Sequence, residues 1–430
     1  TTRASVNLRG ADLRNADLRG ANLEEADLTR ANFREANLRE ANLRKAGLAG
    51  ANLQEAILRY ADLRNAHLRS ADLQKARLGG ADLREVDLQE ADLREAGLSG
   101  VNLKDAQLHG ADLTSARLRG ANLEKADLRF AKLQRADLRN AKAWEADFGE
   151  ARFQEALLTD ADLRGANFTG AKLRKADLRG AVLKEAFLVD ADLREADLSD
   201  ADLQGALLND ADLGGAVLRS ADLSGANLLE ASLVGADLQE AILGDTNLQA
   251  ADLRNANLQN VDGRDARLKE ALLTDADLSG ANFNFASFQK ADLRGADLKK
   301  SSLVESDLRE ADLSDASLQK TLLNDANLDG ADLRGADLGG ANLLEASLAG
   351  ADLQGAILRD TNLQAVDLSN ASLQNANLVN ANLGGAVLRG ADLGGANLRE
   401  VRGLTQEQLD QACGDEETQL PTHLTVKPCP

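Results

Sequence analysis

Methionine is absent from this chain of 430 residues, and proline (3), histidine (3), cysteine (2), tryptophan (1) and tyrosine (1) are nearly so. Each shortage excludes something. Two cysteines cannot build the dense disulfide framework of a small secreted scaffold. With one distant histidine, His423, they also make a poor metal site that lacks a fourth ligand. His67 and His109 stand alone among outward positions, with no cysteine or acidic cluster beside them in register, and read as surface residues. No apolar run approaches the roughly 20 residues of a transmembrane helix, and residues 1–20 do not read as a signal peptide. Without methionine, Thr1 is no initiator residue, so the expectation is a processed N-terminus or a piece of a longer chain.

What is present is one motif. From Val6 to Glu400 a five-residue unit such as Ala11-Asp12-Leu13-Arg14-Asn15 recurs in a single register, roughly 79 times. Alanine holds the first place, Asp or Asn the second and Leu or Phe the third. The last two places vary among Arg, Glu, Gln, Gly, Ser, Lys and Asn. A helix would spiral its leucines around the axis, because residues five apart lie about 140° apart on it. A strand would send alternate leucines to opposite faces. A coil with sides five residues long does neither: each Leu points inward from the middle of a side and each Ala sits inward near a corner. Four sides give a turn of about 20 residues, and about 20 turns at the ~4.8 Å strand spacing give a rod on the order of 95 Å long. Every coil then leans only on its neighbours.

The motif A(D/N)LXX, as in Ala16-Asp17-Leu18-Arg19-Gly20, resembles that of the pentapeptide-repeat family over almost the whole chain. The resemblance implies an all-β fold, a right-handed quadrilateral β-helix solenoid of about 20 coils. The expected domains are the β-helix, 1–400, and a C-terminal helical cap and tail, 401–430. Residues 151–265 and 266–380 align without gaps as an internal duplication. The offset of 115 residues is not a multiple of 20. The second copy is therefore turned by one side, and a docking face repeated along one edge would not survive.

The formal charge of −20 is uneven: about −1 over residues 1–200 and about −19 over residues 201–430. Two readings stand, solubility through self-repulsion and an acidic surface offered to a basic partner. The inward Leu is missing at Ala143 and Gly263. Phe148 and Phe153 follow Ala143 on the next two sides, and Phe283 lies one coil from Gly263. Core compensation is the reading, with Ala143 as the small-pocket candidate if its lost volume stays open. Phe130 with Trp144 is the one local aromatic pairing that could mark a contact.

Residues 1–5 fall outside the repeat and contain no cap, so a further segment, a second copy or a partner is expected to cover the exposed edge of the first coil. Past Glu400, Thr405-Gln406-Glu407-Gln408 reads as a capping box. Leu404, Leu409 and Ala412 fall near one helical face, Gly414 ends the helix, and the tail from Pro421 to Pro430 is extended. This segment reads as a lid. In some members of the resembled family a C-terminal helix instead mediates dimerisation, so a homodimer through the end cap is the other reading. Cys413 and Cys429 suit either a disulfide tying the tail to the helix or free thiols in a reducing cytoplasm.

No cluster of unlike reactive groups appears, so no catalytic residue, cofactor or metal site is expected. The charge has the wrong sign for direct nucleic-acid binding. The expected function is a non-enzymatic scaffold or protein-interaction rod, cytoplasmic, with a protein partner. The resemblance supplies an alternative, an acidic DNA mimic that binds DNA gyrase or another topoisomerase. Family precedent alone supplies a third, a secreted or membrane-associated effector module.

Overall fold

The computed structural model describes residues 6–429. The expected cover over the first coil concerns residues 1–5, outside the described residues. Contacts divide the chain into two compact units, Thr1–Val217 and Leu218–Pro430, each built from the same five-residue device.

Within a unit, second-place residues form parallel β-bridges to residues 20 positions on, as in Asp12↔Asn32 and Asp252↔Leu272. One turn of the β-helix therefore takes 20 residues. The backbone donors of a repeat can be followed one by one. The second-place N–H reaches one coil back (Asn32 to the Ala11 carbonyl, 2.9 Å), while the third- and fifth-place N–H groups reach one coil forward (Leu13 to Asn32, 2.8 Å; Asn15 to Arg34, 3.0 Å). The first-place N–H closes a turn (Ala16 to the Leu13 carbonyl, 3.2 Å). The fourth-place N–H turns to the second-place side chain (Arg14 to Asp12 Oδ1, 3.3 Å). That last bond is why the second place wants Asp or Asn: a short side chain with an oxygen two residues before the donor closes an Asx turn.

Each corner needs left-handed backbone at the fifth place. Every fifth-place residue from Gly10 to Glu400 has φ between 53° and 73°, and this includes Glu25, Lys45, Phe130 and Ala250 as well as the glycines. Positive φ at the third residue of a four-residue turn defines type II geometry. Here the coil overrides the residue's own preference: glycine is suited to the corner but is not required there.

First- and third-place side chains are buried throughout, from Ala26 and Leu28 onward. Burying one such Leu is worth about 2 kcal/mol. Where a hydroxyl replaces the corner alanine it finds a carbonyl, as Thr246 Oγ1 does at Leu223 (2.8 Å) and Thr321 Oγ1 at Leu298 (2.7 Å). At Gly263 the ring of Phe283 fills the space of the missing side chain: a Cβ there would lie 2.2 Å from Phe283 Cε1.

At the C-terminal end the coil runs on with insertions. Arg402 pairs with Asn382 at the usual interval, Cys413 with Asp392 after 21 residues and Gln419 with Asn397 after 22. The extra residues include a short helix, α1 (Gln406–Leu409), whose N-cap Thr405 forms the full capping box with Gln408. Gln408 Nε2 also donates to the Leu383 and Ala386 carbonyls (2.9 and 2.8 Å), the first of which also accepts the Ala386 N–H (3.1 Å). Leu409 and Ala412 are buried over the coil. Two details differ from the sequence reading. Gly414 does not end the helix, which stops at the C-cap Asp410. It lies in strand β1 (Cys413–Gly414), where the coil resumes, and a Cβ would meet Thr418 and Val426 side chains at 2.8 Å. The tail is not uniformly extended: Leu424 N–H closes a turn on the Pro421 carbonyl (3.0 Å). Strand β2 (Lys427–Pro428) then pairs in parallel with β1.

Candidate functional site

The surface is made of columns, because each outward place recurs one coil further on. The commonest column element is a second-place Asp with a fourth-place Arg. In Asp127 and Arg129, Asp127 Oδ1 accepts both the Arg129 backbone N–H (3.1 Å) and Nε (2.9 Å), and Oδ2 accepts the terminal nitrogen (2.7 Å). The side-chain bond to Arg129 outweighs partial burial and holds the Asp127 carboxyl below its usual range. Asp62 and Asp137 are lowered in the same way by Arg64 and Arg139. Fourth-place glutamines make a second link, donating to the Asp of the next coil, as Gln74 does to Asp92 (2.8 Å). These carboxylates are already engaged, so none is singled out as a reactive group.

The residues expected to mark a contact fall apart. Phe130 and Trp144 make no ring contact with each other. Phe130, exposed at a corner, lies edge-on to His109 at 5.3 Å. His109 is therefore not isolated, as the sequence implied, but packed on an aromatic ring one coil away. Trp144 lies against Lys125 Nζ at 5.2 Å and lines a 450 Å³ surface groove with Arg164 and Lys184. Ala143 is fully buried. The neighbouring Phe148, Phe153 and Phe168 form one aromatic cluster, with Phe148 stacked on Phe168 at 4.9 Å and edge-on to Phe153 at 5.2 Å. Cys413 and Cys429 are joined, with Sγ–Sγ 2.04 Å.

Two columns that the sequence reading passed over break the Asx rule. On one side of the first unit, second places Ile57, Arg77, Gly97 and Arg117 follow one another. On another, Lys132, Arg152 and Lys172 do. None of these side chains can accept the fourth-place N–H, so among the described residues those of Gly79, Ser99, Gln134 and Gln154 meet no acceptor. A groove lies over each column, 680 Å³ over the first and 640 Å³ over the second. The signal was available in the sequence: three or four successive non-Asx residues at intervals of 20.

The family model described as Pentapeptide repeats (8 copies) matches the chain in successive segments from residues 7–44 to 367–402. No curated protein sequence matches it. Among solved structures, HetL, a pentapeptide repeat protein involved in heterocyst differentiation regulation in Nostoc sp. strain PCC 7120, is 36% identical. That match covers 57% of this chain and 90% of HetL, with a TM-score of 0.35. The pentapeptide repeat protein Rfr23 from Cyanothece 51142 is 32% identical over 30% of this chain and 64% of its own, TM-score 0.15. A form of the plasmid-mediated fluoroquinolone resistance protein QnrB1 is 18% identical over 57% of this chain and 88% of its own, TM-score 0.24.

Proposed function

The chain belongs to the pentapeptide-repeat family, and from that premise we propose that it is a non-enzymatic scaffold that binds a protein partner along its coil faces. The right-handed, four-sided form with about 20 coils is part of this reading. One observation carries it: polar side chains are consumed by the coil itself, in Asx turns and Asp–Arg pairs, and stand in columns rather than converging on one spot. Such a surface offers shape and spacing to a partner and no set of unlike groups to a substrate.

The acidic column Asp292, Asp312, Asp332 and Asp352 in the second unit favours a second reading, competition with DNA for the basic groove of a gyrase-type enzyme. Arg294 and Arg334 partly neutralise that column, each contacting two of its carboxylates. Mild cross-linking and affinity capture with the intact chain should recover one dominant protein, and Trp144→Ala with Phe130→Ala should lower its recovery without changing the circular dichroism. Recovery of nothing under gentle conditions would remove the scaffold reading. Inhibition of gyrase supercoiling at low salt would replace it with the second.

A further inference from the structure

We propose that the Lys132–Arg152–Lys172 column is a docking site for the carboxylates of an acidic segment in a protein partner. The inference deepens the scaffold reading and rests on it. The argument starts from what the coil does elsewhere. At an ordinary unit, one carboxylate oxygen accepts the fourth-place N–H, the other accepts the guanidinium, and a Gln from the preceding coil adds a third donor, as around Asp92. Along this column the carboxylate is missing, while the fourth-place N–H groups of Gln134 and Gln154 remain and the column's own Arg and Lys add cationic donors. The N–H groups of Gln134 and Gln154 point where an Oδ1 would sit. The next second places, which would accept from Gln134 and Gln154, are Arg152 and Lys172. Among the described residues Arg152 and Lys172 make no ion pair, whereas Lys132 reaches a carboxylate, Asp112 at 3.3 Å on the coil before it.

Three like charges stacked at about 4.8 Å oppose folding, in a chain where Asp or Asn is the usual residue at this position. The cations therefore cost stability that any Asp would have avoided, and an incoming carboxylate recovers what the missing one would have supplied. The groove over the column provides the room, and Phe130 forms an apolar wall on one edge. The companion column at Arg77 and Arg117 has the same open N–H groups, but three glutamates, Glu35, Glu55 and Glu95, line its groove and repel an acidic segment, against Glu150 alone in the groove over Lys132, Arg152 and Lys172. The carboxylate site is assigned to the Lys132–Arg152–Lys172 column for that reason.

The test uses a fluorescently labelled hexa-aspartate peptide and the full chain, read by anisotropy at low and high salt. Arg152→Asp should raise the thermal midpoint and weaken peptide binding by about tenfold or more, since it restores the Asx turn and removes a charge-assisted contact. Arg152→Lys should bind like the parent, Lys172→Gln should lose about the same as Arg152→Asp, and Arg77→Asp should leave binding unchanged. Equal binding by the parent and Arg152→Asp overturns the proposal. So does preferential binding of an oligothymidylate of matched charge. A parent chain that captures a partner yet ignores the peptide removes the carboxylate assignment alone and leaves the scaffold standing.

Discussion

Gly263 and Phe283 form a compensating pair whose coupling can be measured. A Cβ added at residue 263 would lie 2.2, 2.4 and 3.0 Å from Phe283 Cε1, Cδ1 and Cζ. Phe283 is fully buried and held edge-on to Phe288 at 5.3 Å, so its ring cannot swing into solvent. Gly263 is not among the positive-φ residues, and Gly263→Ala carries no backbone penalty. Restricting the unfolded chain would even favour it by about 0.4–1 kcal/mol. Overpacking costs about 1–3 kcal/mol and decides the sign, so Gly263→Ala should destabilise. Phe283→Leu alone should leave a void over Gly263 and cost about 1–2 kcal/mol. The double variant Gly263→Leu, Phe283→Leu rebuilds the ordinary ladder of leucines and should come within about 1 kcal/mol of the parent, a strongly favourable coupling. Long repeat arrays need not unfold in one step, so the assay is local amide exchange of the full chain. The reporting groups are the Gly263 N–H bonded to Asn282 and the Phe283 N–H bonded to Ser302, both 2.7 Å. If Gly263→Ala is neutral, or the double variant is worse than the sum of the singles, the compensation does not exist.

Three other outcomes follow from the same geometry. Asp127→Asn keeps an acceptor for the Arg129 N–H and should cost little, whereas Asp127→Ala leaves that donor to water and should lose about 1 kcal/mol locally; equal exchange rates in the two variants would contradict the role given to the Asx turn. Gln408→Ala removes the side-chain donor from the Leu383 and Ala386 carbonyls and leaves the Ala386 carbonyl unpaired, and exchange in the last coil should speed up by an amount equivalent to about 1–3 kcal/mol, with earlier coils unaffected. Acid should unfold the protein in a defined window. Asp62, Asp127 and Asp137 are held below the ordinary carboxylate range by their arginines, so their contribution is complete above the unfolded value near 4 and is lost as pH falls through the lower folded values. Melting temperature should be flat from about pH 7 to 5 and drop below about 4; a melting temperature that holds or rises at pH 3 would refute this.

Much of the molecule was legible without coordinates, because the interval of five leaves a single way to bury Leu and Ala together. The repeat from Val6 to Glu400, the burial of first and third places and the capping box at Thr405 all follow from short-range chemistry that the residues themselves carry. The sequence also placed Phe283 over Gly263, since a coil of 20 residues makes vertical neighbours predictable. What it could not supply was the fate of side chains with several partners in reach. Phe130 turned to His109 and Trp144 to Lys125, because a corner aromatic settles on whichever neighbour its rotamer meets. Gly414 was freed from helix-ending duty by a strand pairing with Pro428 that lies in no local signal. The open N–H groups beside Lys132, Arg152 and Lys172 became visible only after the Asx turn was seen to be part of the backbone bonding. An unmade hydrogen bond is defined by the three-dimensional network around it, whereas a buried leucine is already announced by its spacing.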